Sequence, residues 1–391
     1  MLFPFKKVLV NWVDGMKTGK EHLQQMEDYF IDSIRDTANV QLTNYNFGML
    51  PPVYGEKTSS DFEILERITN HVEIELRQCN AITAGGCRIN INPFNHGEYL
   101  RLDYPFEIDD SEKKEQNKER ENLYWDVILA IRPFDRVPAG IPDPEETPLR
   151  HPDTNMKYDL IIKPIGQINS EQLGMSHLII GRITRIGDRY EVDKSYIPPC
   201  TSMSSHPDLV SYYEQFGKYL NDIETSSHKM LQKINERENN SSIALNIKSV
   251  CEDLLRYIST IFFEYRNKGR FYAPIDAIAI FSSLAHTCFV SIDFIPKKKR
   301  EEMLQYFYEW SDITPGNFID LLSVVLEMTY NHHNIRGMMM HVEKFLSAFS
   351  FLWIKLCSLE YIGQHKENIV VAEKTQRVEN TGRKSEWTIL D

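Results

Sequence analysis

The chain has 391 residues, of which 42% are apolar, 11% aromatic and 26% charged. At roughly 150 residues per domain this predicts two or three domains, each with its own core, and excludes a staple-dependent miniprotein or a disordered chain. Lys and Arg number 44 against 56 Asp and Glu, a formal charge of -12, which repels phosphate backbones and anionic lipid over most of the surface and makes nucleic acid and membranes poor first candidates.

Lys6 and Lys7 precede only Val8, Leu9 and Val10, short of the apolar stretch of about 7–15 residues in a secretory signal, so export is not expected. Thr18 and Glu21 have capping-box spacing, and Leu23, Met26, Phe30, Ile31 and Ile34 then recur at helical intervals, predicting one amphipathic helix over 19 to 37. Short alternating runs follow: Val72, Ile74 and Leu76; Leu100 and Leu102; then 124 to 131, 158 to 162 and 177 to 186. Turn signals at Pro51-Pro52, Gly85-Gly86, Asn92-Pro93 and Gly187-Asp188 separate them. Many short strands with no helices between them predict an antiparallel sandwich over residues 1–200.

Two stretches interrupt this pattern. Residues 107 to 122 hold seven acids and four bases, and 138 to 152 carries Pro138, Pro142, Pro144, Pro148 and Pro152. Both read as solvated loops, the second alternatively as a semi-rigid docking arm.

At Tyr196-Ile197-Pro198-Pro199 the period changes from two to 3.6. Leu209, Tyr213, Phe216, Leu220, Ile223, Met230 and Ile234 begin a helical region that continues through Ile243, Ile247, Val250, Leu254, Ile258 and Ile261. Shorter helices are expected at 274 to 293, 297 to 310 and 315 to 331. A last helix carries Met338, Val342, Phe345, Phe349, Leu352, Leu356 and Leu359, widened by Leu346 and Trp353. The charge-free run Ala277 to Ile292 is 16 residues, under the about 20 a bilayer span needs, and reads as a buried helix. The fold class is therefore α+β, a sandwich followed by an all-α bundle over 201–362, with 363–391 as a short tail.

The search for chemistry yields little. Gly15 to Glu21 lacks both the four-residue glycine spacing and the hydroxyl after Lys20 that a phosphate loop needs. His332, His333 and His341 would need further ligands to hold zinc, and the pair 332–333 reads as a solvated loop. Six cysteines without a C-x-x-C pair read as reduced, mostly buried thiols of the cytosol. No catalytic, cofactor-binding or metal residues are expected, and no enzyme. What remains is interaction surface: Trp12, in an apolar strip ending at Gly15 and Met16, either plugs the sandwich or faces a partner.

Trp12-x-x-Gly15-Met16 followed by Glu21-His22-Leu23-Gln24-Gln25 resembles the opening of the type VI secretion baseplate subunit TssK family. Tyr196-Ile197-Pro198-Pro199 resembles the Ile-Pro-Pro that leads into that family's helical region. The resemblance spans residues 1 to about 360. It implies a homotrimer with a β-sandwich shoulder like that of phage receptor-binding proteins and a helical neck. The shoulder would attach to the wedge subunits TssF and TssG, through Trp12, Gly15, Met16, His22, Gln24 and Gln25. After Glu360 only residues 361 to 391 follow, too few for the family's head, so the head is expected to be reduced or absent.

These readings converge on a non-enzymatic structural adaptor, cytoplasmic and recruited to the inner face of the envelope through an envelope-complex protein, without membrane insertion. A carbohydrate- or receptor-binding sandwich is the alternative. The expected trimer seam is Ile243, Ile247, Val250, Leu254, Ile258 and Ile261, unless these residues face the intrachain bundle. From Gly363 onward the tail has five acids against five bases and cannot hold anionic lipid by charge. It is either a disordered terminus or, through 368–372 and 387–390, strand-forming.

Overall fold

The computed structural model describes residues 4–68, 71–92, 99–106, 124–167, 174–187, 189–238 and 241–366. The charged run 107–122 and the tail beyond Lys366 lie outside the described residues.

Among the described residues one helix, α1 (Lys20–Asn39), precedes nine strands: β1 (Gly48–Met49), β2 (Ser60–Ile68), β3 (His71–Ile82), β4 (Arg88–Ile91), β5 (Leu100–Pro105), β6 (Tyr124–Ala139), β7 (Asp153–Pro164), β8 (His177–Ile186) and β9 (Arg189–Val192). The helix starts later than the Thr18 box predicts. Gly19 is the cap, and His22, not Glu21, reaches back, its Nδ1 accepting the Gly19 N–H at 3.1 Å.

The strands form two antiparallel sheets. In the first, β3 is central: β1 and β2 pair along one edge, and β4 and β5 along the other, as the shared partners of Cys79 and Ala81 require. The second has the order β7-β6-β8-β9. Alternation puts Val72, Ile74 and Leu76 of β3, and Val127 and Leu129 of β6, into one core. At its end Phe106 stacks on Tyr190 with centroids 4.0 Å apart and meets Trp125 edge-on. The β6–β7 hairpin runs past the sheet after a register shift between Arg132 and Arg136 and ends in the proline-rich loop, where Ile141 and Leu149 stand exposed.

Six helices follow: α2 (Pro207–Glu236), α3 (Ser242–Lys268), α4 (Pro274–Asp293), α5 (Lys297–Ser311), α6 (Pro315–Leu326) and α7 (Ile335–Ser358). Side-chain caps at His206, Ser241, Thr314 and Asn334 start α2, α3, α6 and α7, with Pro in the first turn of α2 and α6. Tyr212, one place from the expected Tyr213, faces inward on α2. Trp353 of α7 is fully buried, stacked on Phe349 at 4.1 Å, and donates its indole N–H to Ser227 of α2 at 2.9 Å. Helix α4 is long and apolar enough to cross a membrane, but Phe281, Leu284, Ala285 and Cys288 are packed in the bundle core.

Sandwich and bundle share one hydrophobic core from Phe47 to Ile362. Gly48 (φ +112) permits their joint: a Cβ there would lie 2.1 Å from the Pro199 carbonyl oxygen. Met49 N–H donates to that oxygen at 2.7 Å, and Thr201 N–H donates back to the Met49 carbonyl at 2.9 Å. Across the joint Arg336 of α7 donates to the Ser195 carbonyl at 2.8 Å and pairs with Asp208.

His332 belongs to this joint, which corrects the expectation of a solvated pair. It is 4% exposed; its Nε2–H donates to the Phe47 carbonyl at 2.8 Å, leaving Nδ1 to accept the Tyr330 hydroxyl at 2.8 Å. Burial pushes its pKa down to about 4, so the ring is neutral, and burial lowers His177 and His333 as well.

Candidate interaction surface

The residues before α1 form an extended strap that doubles back along it. Two backbone amides, Lys6 N–H at 2.6 Å and Lys7 N–H at 2.9 Å, donate to one oxygen of Asp32, and Arg35 Nε–H donates to the other at 2.8 Å. Arg35 also donates to the Gly85 carbonyl at 3.1 Å, fastening α1 to the turn before β4. Burial alone would raise the Asp32 pKa, but the amides of Lys6 and Lys7 and the Arg35 guanidinium hold it below the usual carboxylate value. Further along, Gln25 Nε2 donates to the Val8 carbonyl at 3.3 Å and the Trp12 ring lies 6.1 Å from that of His22.

This anchoring reverses the usual polarity of an amphipathic helix. Asp32, Arg35 and Asn39 are the buried residues of α1, whereas Leu23, Phe30 and Ile34 face outward. On the strap Val8, Leu9, Trp12 and Val13 are also exposed. The expected partner-binding residues are therefore brought together at one place. Trp12 is 49% exposed and so is not a core plug. Gly15 (φ +79) makes the turn, with Met16 N–H donating to the Val13 carbonyl at 3.2 Å. Met16, His22, Gln24 and Gln25 are half-buried. The outward ridge of α1 is the part that sequence reasoning missed, although its signal, Leu23, Phe30 and Ile34 on one face, was plain.

The expected oligomer seam lies elsewhere. Ile243, Ile247, Val250, Leu254 and Ile258 are buried against this chain's own helices and Ile261 is half-buried. Within the single chain this stripe is packed in the bundle core. The apolar residues the bundle leaves outward on α7 are Met340, Phe351 and Ile354.

Among the described residues no group of three or more His, Cys, Asp or Glu side chains could hold a metal ion. Cys79, Cys87, Cys200, Cys251 and Cys288 are buried, and burial raises the thiol pKa of each, to about 12 for Cys79 and Cys251. Neutral buried thiols are poor nucleophiles. The described cavities include one of about 460 Å³ against His332 and His333 at the joint, and an open groove of about 660 Å³ between α3 and α4.

Sandwich, joint and bundle define the class: an antiparallel β-sandwich packed onto a helical bundle, with exposed apolar residues on the strap and α1. No family model and no curated protein matches the chain. Solved structures do, and the fold is that of TssK. A crystal structure of TssK superposes with a TM-score of 0.51 at 14% identity, covering 88% of this chain and 72% of that one. A type VI secretion TssK-TssF-TssG baseplate subcomplex gives 0.46 at 11% identity over 89% and 99% of the two chains. TssK from the type VI system of EAEC, bound to a nanobody, gives 0.44 at 13% identity over 83% and 99%.

Proposed function

We propose that the chain is a structural adaptor of a type VI secretion baseplate and not an enzyme. The observation that carries this reading is the TssK-like fold joined to an apolar surface on the strap and α1, where the sequence motif Trp12-x-x-Gly15-Met16 lies. TssK itself is found in a complex with TssF and TssG. On this reading the strap side of the shoulder holds the corresponding wedge subunits, Trp12 and Met16 acting as aromatic and pliable apolar anchors. The chain works in the cytoplasm at the inner face of the envelope, which it reaches through a protein partner, with the tail from Gly363 onward as the proposed link.

The helical half is proposed to form a homotrimer. Because Ile243 to Ile258 are already covered within the chain, the contact falls on outward residues, for which Met340, Phe351 and Ile354 are available. Light scattering should then give three times 45.8 kDa, about 137 kDa. A monomer at micromolar concentration would defeat that part of the proposal. The test of the whole is co-purification of the tagged chain with the TssF- and TssG-type subunits of its own cell. Trp12→Ala should weaken capture while leaving the trimer intact, and deletion from Gly363 should abolish recruitment to the envelope alone.

A further inference from the structure

We propose that the outward ridge of α1 seats an amphipathic helix of a wedge subunit, so that α1 is one half of an intermolecular helix pair. This rests on the baseplate reading above and specifies the mode and chemistry of the contact.

The first ground is inversion. A lone surface helix turns its apolar stripe to the core; α1 buries Asp32, Arg35 and Asn39 and leaves Ile34 72% and Phe30 53% exposed. The inward charge is fully engaged by the strap amides and Arg35, so the orientation is held in place and the apolar side has no cover within the described residues.

The second ground is exposure. Leu23, Phe30 and Ile34 are 49%, 53% and 72% exposed, while the strap, which contacts His22, Gln25, Asp28 and Asp32, runs along the other side of α1 and leaves them uncovered.

The third ground is geometry. Leu23, Phe30 and Ile34 are separated by seven and four residues, one face of a helix over three turns, roughly 17 Å long at about 1.5 Å per residue, with Glu27, drawn to Arg136, between the first two. Along the middle of a helix the backbone donors are satisfied internally, so the ridge cannot accept an added strand. A helix with apolar residues at i, i+3 or i+4, and i+7 matches its spacing.

The fourth ground is charge. Glu27 and Asp28 are held by Arg136, Asp28 also by Lys7, and Asp32 and Asp36 by Arg35. Those four carboxylates meet three cations, and the exposed Lys6, Lys17 and Lys20 against Asp14 and Glu21 supply the missing positive charge, six acids to six bases. On a chain of net charge -12 this face is neutral, which suits an apolar helix stripe and neither a strongly charged peptide nor an anionic lipid surface.

The test compares the full-length chain, the double variant Phe30→Ser/Ile34→Ser, and Trp12→Ala, each co-expressed with the TssF- and TssG-type subunits of the same cell. It adds a photo-crosslinker in place of Ile34. The double variant should keep its Tm within about 2 °C and bind the wedge subunits at least about tenfold more weakly. Crosslinks from position 34 should map to residues spaced by three, four or seven in a single wedge helix. Wild-type capture by the double variant, with capture lost in Trp12→Ala, would overturn the ridge proposal and leave the baseplate reading standing. If the unmodified chain captures no wedge subunit, both fall. Other results that overturn it are a drop in Tm well beyond that range, crosslinks into a second copy of the chain, or Phe30- and Ile34-dependent flotation on phosphatidylethanolamine/phosphatidylglycerol vesicles.

Discussion

Helices α1 and α7 share a 3.6-residue apolar period and are oriented oppositely. In α7 the wide stripe through Phe345, Phe349, Leu352 and Trp353 is fully buried, and the outward side keeps only Met340, Phe351 and Ile354. In α1 a carboxylate, a guanidinium and an amide go inward. The difference lies in what each helix meets. Helix α7 lies against apolar α2 and α5, where burying each large side chain contributes about 1.5–3 kcal/mol. Helix α1 lies against the strap and the Gly85 turn, whose groups are polar backbone. An amphipathic period specifies a helix; the neighbour decides which face is hidden.

The largest effect that would sharpen this contrast comes from placing charge on the buried stripe of the bundle. Val250→Glu with Leu254→Glu puts two unpaired carboxylates at fully buried positions, and should unfold the chain with loss of helical circular dichroism. A folded monomer would instead mean that the pair sits at a separable interface. Trp353→Ala comes next, at about 3–5 kcal/mol from the cavity it leaves, seen as a lower midpoint in urea.

Asp32→Ala strips α1 of the one acceptor that organises its inner face and leaves Arg35 buried without it. We expect a loss of about 3 kcal/mol and faster proteolytic cleavage between residues 8 and 17; an unchanged digestion pattern would mean the strap is held otherwise. Because the folded-state pKa of Asp32 is depressed, its contribution is present above the ordinary carboxylate value of 3.8 and disappears as pH falls through the lower folded value. The joint responds in a different window. His332 is neutral when folded, with a pKa near 4 against 6.5 for a free ring, so stability is at its full value above pH 6.5 and falls as pH drops from there toward 4. The Tm of His332→Asn should vary less with pH over that interval than that of the native chain. The smallest effect belongs to the ridge: Ile34→Ser should shift stability by no more than about 0.5 kcal/mol.

Much of this was legible in the chain. The β8 range, the switch of period at Ile197-Pro198-Pro199 and the helices carrying Ile243 to Ile258 follow from spacing, because apolar periodicity is a local record of local geometry. What spacing cannot carry is the identity of the other side of a contact. The Ile243–Ile258 stripe has the same period whether a sister helix or a second protomer covers it. Asp32 is secured by amides more than twenty residues earlier, and His332 by the Phe47 carbonyl 285 positions away, so neither burial is visible in its own neighbourhood. Trp12 and Met16 could be singled out for their type, but their place beside α1 depends on the strap.

The joint between sandwich and bundle also has a mechanical meaning. A connection made of one extended peptide would bend and absorb displacement. Here the chain crosses at Pro199, is stitched to Met49 in both directions, and is braced by Arg336 of the last helix and by His332 in the turn before it. Gly48 leaves no room between the two backbones for slack. A pull on the strap would pass through α1 to the Gly85 turn and β3, and from the β1 end of that sheet into α2 and α7, with little lost to rotation at the boundary. Sandwich and bundle are thereby packed as one unit, and a side chain introduced at Gly48 would have to push the Pro199 carbonyl aside to fit.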